Sequence, residues 1–132
     1  MGIVSKTEYI ENMNFDGIRD HLFSVGCPVT SCREAIRKYR LFLHLKVKFN
    51  GVDQDLVPEG GVGAIWHHHI LDTAQYTQDC EFLFGAYFHN IPAYAPTRGR
   101  TAFRHDLAVL VTKFLFKCEY GETMETKLYE NY

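Results

Sequence analysis

Apolar residues recur along most of this chain at three- and four-residue spacing, the period of a helix with one buried face, and strand-like alternation is nearly missing. After a polar leader, Asn14 is placed to cap a short helix in which Ile18 and Leu22 lie four apart, and Gly26-Cys27-Pro28 ends it. Ser31-Cys32-Arg33-Glu34 has capping-box spacing, in which the serine oxygen takes an orphan backbone N–H and the glutamate reaches back to the cap. A long helix should follow, with Ala35, Tyr39, Phe42 and Leu43 inward and Arg33, Arg37, Lys38 and Arg40 largely on the wet side. Asn50-Gly51 favours a left-handed stop, and a connector from Val52 to Pro58 comes next.

The next helix is expected to begin near Glu59 to Gly61 and to carry Trp66-His67-His68-His69. Gly60, Gly61 and Gly63 weaken it by about 1 kcal/mol each relative to alanine, a departure from good helix design of the kind that gathers near sites. From Asp72-Thr73 another helix runs to about Phe88, with Tyr76, Cys80, Leu83, Phe84 and Tyr87 on one face. Pro92 and Pro96 enforce a loop. Thr101 opens a last helix whose apolar face is Phe103, Leu107, Leu110, Val111, Phe114 and Cys118, until Gly121. The tail, 122–132, is polar and is expected to fray. The pattern thus predicts one all-α domain over residues 1–132, a compact bundle of about four to five helices.

Composition agrees and narrows the class. A chain of 132 residues with 46% hydrophobic content can bury a core without cross-links. With 14 Lys plus Arg against 16 Asp plus Glu, the formal charge of −2 argues against the broad positive field of a duplex nucleic-acid binder. No apolar run reaches the ~20 residues that span a bilayer, and the first residues lack the basic-then-apolar layout of a secretory signal, so a cytoplasmic location off the membrane is expected. Lys6 stands where the myristoylation motif begun by Met1-Gly2 wants Ser or Thr. Cys27, Cys32, Cys80 and Cys118 show no C-x-x-C spacing and are expected to be reduced.

Candidate chemistry centres on the histidine triplet, because imidazole both ligates metals and moves protons near neutral pH. The stretch Lys38-Tyr39-Arg40-Leu41-Phe42-Leu43, then Leu56-Val57-Pro58, Ile65-Trp66-His67-His68-His69-Ile70-Leu71-Asp72-Thr73, Tyr76, Asp79-Cys80, Phe84-Gly85, His89 and Pro92, resembles the glycine-rich domain-containing protein-like family. The likeness covers roughly residues 30–92, with a weaker echo in Phe116 and Tyr120-Gly121-Glu122. It implies a helical core with a Trp-His-x-His element at Trp66, His67 and His69, and it implies no reaction. Here His68 fills the variable position, and Asn90 stands where short members often repeat histidine.

On a regular helix, residues two apart point about 200° away from each other, so His67 and His69 can share an ion only where the backbone is extended or broken. The glycines and the Asp72-Thr73 restart make such a break an expectation. His67, His69 and Asp72 are then the candidate ligands of a transition metal, with His44, His105 or Cys80 as donors from packed helices. Three readings follow: a small metal-binding domain, with a small metalloenzyme as its catalytic form; a protein-interaction or regulatory module with structural histidines; and a metal-free acid–base enzyme joining a histidine to Asp72 or Asp79. Asp72 is also a natural helix cap, and Cys80, on an apolar face beside Asp79, reads as packing rather than as a nucleophile. A basic strip of Arg98, Arg100, Arg104, Lys113 and Lys117 could meet phosphate at the Thr101 helix start. Gly60-Gly61-Val62-Gly63 follows no strand, which weakens a nucleotide reading.

Overall fold

A computed structural model describes residues 4–51, 55–86, 88 and 102–128. Six helices occur among them: α1 (Lys6–Glu11), α2 (Asp16–Ser24), α3 (Val29–Lys48), α4 (Gly60–Leu71), α5 (Thr73–Phe84) and α6 (Ala102–Tyr120). No strand is present among the described residues, so the chain folds as an all-α bundle. No helix among the described residues is long and apolar enough to cross a membrane. The proline loop, Arg98, Arg100 and Thr101 lie outside the described residues.

The 20-residue α3 is the axis, about 30 Å long, and α1, α2, α4 and α6 all pack on it. Its inward stripe is the expected one: Ala35, Tyr39, Phe42 and Leu43 are buried, joined by Cys32 and Leu45. Its start differs from expectation. Pro28 is the N-cap and Val29 the first helical residue, so Ser31 already lies in the first turn and Glu34 pairs with Arg37 at 2.6 Å instead of capping. The N-cap of α2 is Phe15 rather than the expected Asn14, which sits one residue earlier and accepts at Oδ1 from the Asp16 N–H at 2.9 Å.

The wet side of α3 is drier than its charges suggest. Lys38 is buried and donates to the Glu125 carbonyl at 2.8 Å. Arg40 donates to the carbonyls of Ile10 and Met13 at 2.6 and 2.9 Å and lies 4.7 Å over the Phe15 ring. Both cations thus tie one helix to backbone carbonyls of distant segments, which binary patterning cannot reveal.

α1 formed within what reads as a polar leader. Ser5 accepts from the Glu8 N–H at 3.0 Å, and Ile10 is fully buried. At the other end, the expectation of a fraying tail is overturned for residues 122–128. Met124 and Leu128 are buried, the Thr126 carbonyl accepts from the Gly61 N–H at 2.8 Å, and the Cys27 thiol reaches the Leu128 carbonyl.

This docking explains the glycines. A Cβ at Gly61 would lie 2.7 Å from Thr126 Cγ2, one at Gly63 would lie 3.0 Å from the Pro58 carbonyl oxygen, and Gly60 holds φ +67°. The small residues admit close backbone approach; they do not break the helix. α4 runs regularly through the whole histidine triplet, and the interruption falls at Asp72 (φ −85°, ψ 75°). α5 stops at Gly85 (φ 74°), four residues short of the expected Phe88. All four cysteines are free.

Candidate functional site

Because α4 is continuous, His67 and His69 splay apart, as its 3.6-residue period demands. His67 is exposed, whereas His69 is only 4% exposed. Asp72 is exposed and accepts, at 3.5 Å, from the N–H of Gln75 in the first turn of α5, which is the capping role. The three candidate metal ligands are therefore not gathered at one point. Among the described residues, no three His, Cys, Asp or Glu side chains are grouped so as to hold a metal ion.

What the Asp72 turn assembles instead is a buried polar network. Folding α5 back across α4 puts Asp79 against His69, with Oδ2 2.7 Å from Nε2. The other ring nitrogen, Nδ1, lies 2.7 Å from the hydroxyl of Tyr39 on α3. Asp79 Oδ1 accepts from the Tyr9 hydroxyl at 2.5 Å and from Gln75 Nε2 at 2.8 Å. One histidine thereby links α1, α3, α4 and α5.

The electrostatics fix the roles. Burial pushes the Asp79 carboxyl upward, but hydrogen bonds from His69, Tyr9 and Gln75 together outweigh it and hold the group below its ordinary value. Asp79 is therefore ionised, and Nε2 donates to it. Tyr39 is driven far the other way, first by burial and then by Tyr76, Cys80 and Asp79, so its hydroxyl keeps its proton while it shares a hydrogen bond with Nδ1. Tyr9 is likewise raised, by burial and by Asp79. Both ring nitrogens of His69 are therefore engaged.

A second rung crosses the same junction. Trp66 Nε1 donates to the Tyr76 hydroxyl at 2.9 Å, and that hydroxyl donates to the Phe88 carbonyl at 2.6 Å. The indole stacks on the Phe88 ring with centroids 5.0 Å apart. Cys80 is buried beside this rung and its thiol is pushed up, mainly by burial, consistent with packing.

On the α1–α2 side of the network lies a cleft of about 650 Å³, lined by Tyr9, Asn12, Met13, Phe15, Ile18, His69, Gln75 and Asp79 among others. It reaches the polar floor, yet the floor's acceptors and donors are already paired with one another. The remaining triplet member, His68, is half-buried with its ring 5.4 Å from that of His21, and burial, followed by His21 and His67, lowers its pKa.

Sequence reasoning offered a pairing of a histidine with Asp72 or Asp79 without selecting His69 and Asp79, and placed Tyr39 only among the core residues. It missed Tyr9 and Gln75. The one local signal for Tyr9 was Ser5-Lys6-Thr7-Glu8, whose spacing matches a capping box and marks a helix start in the leader. Compared with known proteins, the chain matches no family model, no curated protein and no solved structure.

Proposed function

We propose that this chain is a helical interaction module in which the histidine network is structural. The observation that carries the reading is the double engagement of His69, whose Nδ1 and Nε2 face Tyr39 and Asp79 inside the core. A metal ligand needs a free nitrogen lone pair, and a general base needs one that faces substrate. In this geometry the imidazole offers neither, and it serves to satisfy a buried carboxylate and a buried phenol at once. The Trp66-His67-His68-His69 element, and with it the resemblance to the glycine-rich domain-containing protein-like family, is then a packing signature of the α4–α5 corner.

Elemental analysis of untagged protein, paired with melting curves in added zinc and in chelator, tests the proposal. The expected result is less than about 0.1 equivalent of transition metal and an unmoved melting temperature, since only a ligand of the native state raises it. Near-stoichiometric metal that disappears in His67→Ala and His69→Ala would replace this reading with a metal centre.

A further inference from the structure

The α6 helix turns the wrong face inward by the standard of its own sequence. Its buried residues are Ala108, Val109, Thr112 and Phe116, while Phe103, Leu107, Leu110 and Phe114 are 74%, 43%, 64% and 66% exposed. The four exposed side chains fall at spacings of four, three and four. That is the seam of a coiled coil, continued over about three turns.

The seam is also a palindrome. Read in either direction it is Phe, Leu, Leu, Phe with the same intervals, so a two-fold axis between residues 108 and 109 lays Phe103 on Phe114 and Leu107 on Leu110 of an antiparallel copy. The flanking charges agree with that register. Asp106 of one helix then borders Lys113 of the other, and the pair occurs twice. Lys113 already faces Glu59 at 3.3 Å and Glu125 at 3.8 Å, so this contact would extend an existing exposed charge cluster.

We infer that the exposed face of α6 docks the same face of a second copy of this chain, forming an antiparallel helix pair across a two-fold axis. The inference rests on the interaction-module reading and supplies its partner. A seam of four apolar residues is smaller than a standard interface of about 800 Å² per partner, so the expected association is weak and reversible.

Sedimentation equilibrium of the full chain from about 1 µM to 1 mM tests this directly, with a reversible monomer–dimer equilibrium expected. Leu107→Glu/Leu110→Glu should weaken association about 30-fold or more while leaving helicity and melting temperature intact, because those positions face solvent in the monomer. Asp106→Lys, which sets like charges opposite Lys113, should weaken it by a smaller factor and guards against misfolding of the double variant. Orientation is read from Cys118, the exposed cysteine among three buried ones. Spin labels there should lie about 30 Å apart in the antiparallel pair and under about 15 Å in a parallel one.

A chain that stays monomeric at 1 mM, a dimer that neither variant weakens, or a short label distance would overturn the inference. So would a double variant whose monomer melts well below the wild type, because the seam would then be covered by its own chain. None of these outcomes alters the metal and melting readouts on which the structural role of the histidines depends.

Discussion

Asp79 shows how a single buried charge can decide which of its neighbours are indispensable. Its carboxylate takes hydrogen bonds from His69, Tyr9 and Gln75, so each donor neutralises part of a desolvation cost that none could offset alone. His69→Ala removes the donor to Oδ2 and also leaves the Tyr39 hydroxyl without its partner; urea denaturation should show a loss of about 3 kcal/mol or more. Acid should act in two separable steps. Burial, with His21 and His67 nearby, holds His68 below its ordinary value of 6.5, so the unfolded chain takes up that proton first and stability falls as the pH drops below 6.5. The Asp79 value is also depressed in the fold, so its contribution is complete above 3.8 and is lost as the pH falls through the folded value. Urea midpoints measured from pH 8 to pH 3 should show both declines, with His68→Gln abolishing the upper one and sparing the lower.

Among the helices, what could be read in the sequence was whatever a single helix decides for itself. The inward stripe of α3 and the restart at Asp72-Thr73 both follow from local periodicity or capping, and the structure keeps them. What escaped depended on a second element. Whether Phe103 or Phe116 is the buried aromatic of α6 turns on which face α3 and the Val57 backbone meet; Thr112, which accepts from the Val57 N–H at 2.8 Å, is on that face although it is the more polar residue. The candidate site was obscured for the same reason, since His69 and Asp79 are ten residues apart and meet only because the chain turns at Asp72. The glycines of α4 likewise read as weakness until Thr126 is seen beside Gly61. Gly61→Ala gains helix propensity of about 1 kcal/mol but forces a Cβ to 2.7 Å from Thr126, so the net should be a destabilisation of about 1–2 kcal/mol in denaturant titrations. If Gly61→Ala stabilises the protein, the close approach of α4 to residue 126 is wrong.

At the level of the whole molecule, residues 122–128 act as a strap that closes the bundle, and its anchors come from three separate parts of the chain. Lys38 on α3 holds the Glu125 carbonyl, Gly61 on α4 holds that of Thr126, and Cys27 between α2 and α3 meets that of Leu128, while Met124 and Leu128 add buried apolar surface. Arg37 reinforces the start of the strap by bridging Glu34 and Glu122. A strap held largely through its own carbonyls depends on donors supplied by the helices, and Lys38 is the charged one. Lys38→Met keeps the aliphatic stem but removes the donor, leaving a partly buried carbonyl unpaired at a cost of about 1–3 kcal/mol. Because the α3–α4 and α4–α5 contacts do not pass through residue 125, that cost should appear as local opening rather than global unfolding. Hydrogen exchange is the measurement: protection of the Gly61 amide, whose acceptor is in the strap, should fall about tenfold or more in Lys38→Met, while amides in the middle of α3 change far less. Equal loss of protection at both places would mean that the strap and the bundle open as one cooperative unit, and that the tail belongs to the core instead of clasping it.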